Sequence, residues 1–191
     1  MQPARFPPEP EIVQLAAAHA AALGFSQSCT DETGRLLQTL ASAVIAGVIG
    51  ELGTGCGYGT AWLASGLRAG VRLVTVEHDA QLAGAAREVL ADPLDVTVLE
   101  DDWRAALAHG PFQLLFVDVS EAKHGGMDEA IAALAPGGLA LLDDLTAPEY
   151  WPAEWRGKPD ALRERWLNHP ALQAVELRLN ARDCVILAVK R

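Results

Sequence analysis

Five carboxylates stand where a run of apolar residues stops. Glu51 follows residues 43–49, Glu77 follows 71–76, Asp102 follows 94–99, Asp118 follows 112–117 and Asp144 follows 139–142. Between the first two lies a glycine-rich stretch in which Gly53, Gly55 and Gly57 alternate with other residues and are followed by Tyr58. These residue types suit ligand binding. Glycine lets a ligand approach the main chain because it has no Cβ, and a carboxylate at a strand end accepts hydrogen bonds from ribose hydroxyls or an amino group. Glu51 either faces such a ligand or satisfies helix N–H groups. Asp102, with its neighbour Trp103, either meets a base or caps the helix that follows, in which case Asp101 is the contact. Asp118 and Asp144 are further candidate contacts at strand ends, with a role as turn residues as the alternative. Lys123 and His124 are the candidate bases, His124 by its reference pKa near neutrality, unless both are exposed loop residues.

An alternation of helices and strands must position these groups. Residues 1–10 are proline-rich and read as an arm, and residues 11–45 hold two helices. The first is stopped by Gly24; the second is capped by Ser28 or Thr30 with Asp31 and Glu32 in its first turn. Apolar strands then alternate with helices through residue 142, with a turn at 136–138, which implies right-handed crossovers and a parallel sheet covered on both faces. The segment 148–159 carries three prolines and reads as a loop. Its Trp151 and Trp155 either roof a pocket or pack the loop down. A helix over 160–167 follows. Only four residues, 180–183, separate the last two apolar runs, so these form an antiparallel hairpin.

The glycine spacing discriminates between ligands. A dinucleotide motif is G-x-G-x-x-G, but counting from Gly53 its third glycine is Tyr58, and from Gly55 it is Thr60. The observed G-x-G-x-G behind an acidic residue, with Glu77, Asp102 and the closing hairpin, resembles the class I S-adenosylmethionine (SAM)-dependent methyltransferases. The chain is most similar to small-molecule O-methyltransferases of the catechol and caffeoyl-CoA kind, short bacterial members above all. Residues 33–37, 51–58, 74–77, 116–118, 136–138 and 142–144 carry that resemblance. It implies a Rossmann-like α/β fold with a seven-stranded, mostly parallel sheet of order 3-2-1-4-5-7-6. It also implies methyl transfer from SAM to an oxygen of a small molecule. By the same resemblance Glu51 and the glycine loop, with Tyr58, lie near the methionine half of SAM, Glu77 takes the ribose, Asp102 and Trp103 the adenine, and Asp118 lies between cofactor and acceptor. Catechol-type enzymes hold a divalent cation with an Asp after the fourth strand and an Asp-Asn pair after the fifth. Asp118 and Asp144 match the two aspartates, but Leu145 replaces the Asn and cannot ligate, so no complete metal site is expected. The usual lysine base, three residues after the first Asp, is here Glu121, which leaves Lys123 and His124. A SAM- or nucleotide-binding module without catalysis is the competing reading, and an NAD-dependent oxidoreductase is disfavoured by the missing third glycine.

Bulk composition sets the outer limits. A chain of 191 residues that is 50% hydrophobic supports one domain with a sizeable core. The net charge of -10 argues against nucleic acid or an anionic membrane as partner. Three scattered cysteines, Cys29, Cys56 and Cys184, show no metal or disulfide spacing and suit a reducing cytoplasm. There is no apolar h-region and no run long enough to span a bilayer. Arginine over lysine and abundant alanine fit a bacterial source. A homodimer through the apolar faces of the first helices is a further expectation.

Overall fold

The computed structural model of the chain describes residues 7–91 and 95–191. Most of the expected arm, and the start of the expected third strand at Leu94, lie outside the described residues. Two helices, α1 (Glu11–Leu23) and α2 (Asp31–Ala43), precede the sheet. Gly24 ends α1 in the left-handed conformation, and Thr30 caps α2 by accepting the Thr33 N–H. There follow β1 (Gly47–Leu52), α3 (Tyr58–Ser65), β2 (Val71–Glu77), α4 (Ala80–Val89), β3 (Val96–Glu100), α5 (Arg104–Leu107) and β4 (Phe112–Val117). The chain closes with α6 (Ser120–Lys123), α7 (Met127–Ala132), β5 (Leu134–Thr146), α8 (Ala161–Leu167), β6 (Leu172–Arg178) and β7 (Asp183–Lys190).

The seven strands lie in the order β3-β2-β1-β4-β5-β7-β6. Pairing is parallel from β3 to β5 and antiparallel where β7 inserts between β5 and β6. The expected order and hairpin are thus observed. Strands buried on both faces put alternate residues into two cores. Val48 and Leu52 join Trp103, Met127, Ile131 and Trp166 on one side of the sheet. Ile49 joins Val13, Leu37, Trp62 and Leu63, from the first three helices, on the other.

Two elements differ from expectation. The apolar run at 43–49 splits, because the buried face of α2 (Thr33, Gly34, Leu37, Ala41) keeps helical spacing to Ala43 and the strand starts only at Gly47. An apolar run without periodicity does not separate helix end from strand start. The fifth strand absorbs the expected turn at 136–138: β5 begins at Leu134, which pairs with Phe112, and its register shifts before Leu139 pairs with Leu114. Further along, three steps on β5, from Leu142 to Leu145, oppose two on β7, from Ile186 to Cys184. This is a bulge, and Asp144 occupies it with φ 65°. The bulge frees Asp144 from the ladder while Leu145 returns to the core, 4% exposed.

Candidate active site

The cradle forms where β1 runs into α3. Gly53, Gly55 and Gly57 all have positive φ, at 98°, 52° and 86°. Gly57 also packs on α4, where a Cβ would stand 3.3 Å from the Ala86 Cα, and a Cβ on Gly55 would meet the Phe25 ring at 2.9 Å. The loop therefore needs glycine for its backbone and for its neighbours. Beneath it, the wholly buried Glu51 accepts hydrogen bonds on Oε2 from the Thr60 and Thr75 hydroxyls. Its Oε1 is buried with no partner among the described residues and would lie 2.7 Å from a Cβ at Gly59. Burial pushes the Glu51 carboxyl up to about 8, against the pull of the two threonine hydroxyls.

The end of β2 supplies Glu77. Its Oε2 accepts the Gly55 N–H at 2.9 Å and its Oε1 the Asp79 N–H at 3.0 Å. The carboxylate thus ties the glycine loop to the start of α4; with His78 Nδ1 also 3.1 Å from Oε1, the lone pair left for a ligand is on Oε2. After β3, Asp102 accepts the Arg104 N–H on Oδ1 at 3.0 Å, which caps α5, and it also lines the cleft. Capping and site proximity therefore coexist, and Asp101 lines the cleft beside it. Trp103 is buried, with the Arg104 guanidinium 4.4 Å from its ring centroid, and its Nε1 has no partner among the described residues.

On the other side of β1, Asp118 follows β4 and Asp144 sits in the β5 bulge. Lys123 joins them: its Nζ donates to Asp118 Oδ1 at 2.9 Å and to Asp144 Oδ2 at 2.7 Å. Burial would lower the Lys123 pKa, but the two carboxylates outweigh it and hold the side chain as an ammonium. Burial likewise pushes Asp118 up to about 7, with Lys123 offsetting part of the rise. Asp143 turns the other way and accepts the Thr33 hydroxyl at 3.3 Å.

These groups surround one cleft of ≈ 760 Å³. Its wall includes Glu51, Gly53, Gly55, Tyr58, Glu77, Asp102, Trp103, Asp118 and Asp144. Gly57 stands behind the loop against α4. Lys123 is 5% exposed and lies behind its two aspartates, outside the wall, so an ion-paired ammonium replaces the expected free base. His124 is exposed and outside the wall; its backbone N–H donates to the Ser120 carbonyl and its own carbonyl accepts from Arg165. Trp151 packs the 148–159 loop onto β5, donating to the Thr146 carbonyl at 2.8 Å, and Trp155 is 57% exposed. Neither tryptophan roofs the cleft. That part is taken by Phe25, Ser26, Gln27, Ser28 and Cys29, the link between α1 and α2. Sequence reasoning counts the N-terminal helices, with the 148–159 loop, as able to close the pocket, but does not single out the link between them, where Phe25 after the α1 stop is the aromatic signal.

Residues 51–145 match the family described as a methyltransferase domain. The chain is 34% identical over 136 residues to a catechol O-methyltransferase of Mycobacterium tuberculosis, covering 68% of this chain and 61% of that protein. It is 31% identical over 128 residues to a catechol O-methyltransferase of Niastella koreensis, covering 62% and 58%. The aligned part thus spans about three-fifths of these curated relatives. Among solved structures, an O-methyltransferase from Bacillus cereus in complex with SAH superposes with a TM-score of 0.81 at 25% identity, covering 96% of this chain and 92% of that one.

Proposed function

We propose that this chain, which belongs to the class I methyltransferases, transfers a methyl group from SAM to an oxygen of a small molecule. The observation that carries this reading is that one cleft holds both a glycine-and-carboxylate cradle and, across β1, a second pair of carboxylates. The cradle fits the methionine half of SAM through an orphaned acceptor: Glu51 Oε1 is buried with no partner among the described residues, as an acceptor for an ammonium donor would be. Glu77 supports the ribose role with the lone pair left on Oε2, and Trp103 with Asp102 offers an aromatic surface and an acceptor to the adenine.

When bound, SAM supplies the electrophile: the O–CH₃ bond forms as the S–CH₃ bond breaks, and the bonding electron pair stays on sulfur. The protein's tasks are alignment and removal of the acceptor proton. Asp118 lines the cleft with a carboxyl raised to about 7, so it accepts a proton from the acceptor hydroxyl near neutral pH. Asp144 offers a second acceptor from the bulge.

The acidic chain supports a non-nucleic-acid acceptor, and no helix among the described residues is long and apolar enough to cross a membrane. A cytoplasmic location and a homodimer remain part of the reading. Leu15 and Leu23 on α1, 45% and 43% exposed, favour the homodimer. The test is mass spectrometry of products from SAM and a panel of phenols and catechols. A product heavier by one methylene is expected. Tight SAM binding with no product from any acceptor would favour a binding module, and NADH binding would favour an oxidoreductase.

A further inference from the structure

The divalent cation implied by the resemblance to catechol-type enzymes does not fit the residues present. Leu145, at the third ligand position, lies in the core, and Asp143 is turned to Thr33. Two carboxylates alone can hold Mg²⁺, so these absences do not decide the matter. What decides it is the group already between the carboxylates.

We propose that the Lys123 ammonium is the resident cation of this site, and that it joins Asp118 to Asp144 in place of a divalent ion. The proposal rests on the methyl-transfer reading only for its effect on turnover. Lys123 Nζ reaches both aspartates within 2.9 Å, with its side chain 5% exposed. Its backbone is anchored on two sides: the Lys123 N–H donates to the Val119 carbonyl at 3.0 Å, and the Trp166 indole N–H donates to the Lys123 carbonyl at 2.9 Å. Trp166 is wholly buried in α8, so the core fixes the root of the lysine.

A divalent ion on the cleft-side oxygens meets carboxylates already neutralised by the ammonium, and one on the oxygens facing Lys123 has to displace the ammonium from both partners. That leaves a buried, unpaired charge, which is strongly unfavourable. Without any cation, two carboxylates facing one site repel, and one of them takes up a proton. Lys123 offsets this repulsion without occupying the cleft. It is a positioning residue: it lies behind Asp118 and Asp144 and holds them so that their remaining lone pairs face the acceptor. A hydroxyl then meets a hydrogen-bond acceptor rather than a metal, and a vicinal diol has no chelation advantage over a single hydroxyl.

The experiment combines Mn²⁺ titration of the full chain, followed by electron paramagnetic resonance of free Mn²⁺, with methyl transfer measured in Mg²⁺ and in chelator. The wild-type protein is expected to take up no stoichiometric Mn²⁺ and to turn over equally in both conditions. Lys123→Ala is expected to gain a Mn²⁺ site and to lose turnover at least about tenfold in chelator, with Mg²⁺ restoring part of it. Lys123→Met, which fills the same space without charge, should lose turnover with no rescue. Stoichiometric Mn²⁺ on the wild type, or a Lys123→Ala protein that binds no more Mn²⁺ than the wild type, overturns the proposal. If Lys123→Ala does not fold, the wild-type titration decides alone. Mn²⁺ uptake is read without any acceptor, so a failure of methyl transfer is separable from a failure of the ammonium assignment.

Discussion

Glu51 is the side chain whose role depends most on its protonation. With its carboxyl raised to about 8, it is about 90% protonated at pH 7 in the free protein. Pairing with the SAM ammonium favours the ionised form, so binding releases close to one proton. Calorimetry of SAM binding at pH 7 in two buffers of different ionisation enthalpy should give different apparent enthalpies, and Glu51→Gln should abolish the difference. Equal enthalpies for the wild type would remove the ammonium contact. Glu77 is tested by affinity. Losing the charge of a carboxylate that already ties Gly55 to Asp79 is worth about 1.5–3 kcal/mol. Glu77→Gln should therefore weaken SAM binding roughly ten- to hundredfold, and unchanged affinity would sink the ribose assignment. At this scale the cofactor carboxylates were legible in the sequence, because a strand end is marked by the halt of an apolar run. The ion pair of Lys123 was not, since its partners are 5 and 21 residues away and only the sheet brings them together.

The glycine loop works because α3 is held down by its neighbours. Gly34 in α2 faces Trp62 in α3, and a Cβ there would come within 2.2 Å of the indole nitrogen. Trp62 is completely buried, with the Tyr58 ring edge-on at 6.4 Å and the Arg35 guanidinium 5.2 Å from its ring centroid, so it has little room to move aside. Gly34→Ala overpacks this contact by about 1–3 kcal/mol. Thermal denaturation should show a fall in Tm of roughly 2–12 °C for a domain of this size. A Gly34→Ala protein as stable as the wild type would mean that α2 slides on α3 without loss. The cap at Ser28 or Thr30 and the first-turn acids Asp31 and Glu32 pointed to this helix, but which aromatic Gly34 accommodates depends on packing across sequence distance. The bulge in β5 is similar. Nothing in Leu142, Asp143, Asp144 and Leu145 announces an extra residue, yet it sends Asp144 to the cleft and Leu145 to the core.

Over the whole molecule, buried carboxyls shape stability against pH. Glu51 is raised from an ordinary 4.5 to about 8, so between those values the folded protein holds a proton that the unfolded chain has lost. Stability from this group is fully present below pH 4.5 and falls as pH rises, by about 1.4 kcal/mol per pH unit, until it levels off above pH 8. Asp143, raised by burial to about 6, acts in the same direction over a narrower window. Melting the ligand-free protein and Glu51→Gln in parallel from pH 5.5 to 7.5 isolates the term. The wild type should lose about 3–5 °C per pH unit relative to the variant, and parallel curves would show that Glu51 is not buried as described. The sequence by itself determined the alternation of helices and strands, the glycine cradle and the strand-end carboxylates, because periodicity, chain-stop residues and spacing are local signals. Tertiary structure alone decided what those carboxylates face. Sheet order brings β4 and β5 together at one end of the cleft, the bulge turns Asp144 outward, and the buried Trp166 anchors Lys123 between the two aspartates. Each of these is a contact between residues far apart in the chain, whose energy exists only once the core has closed around them.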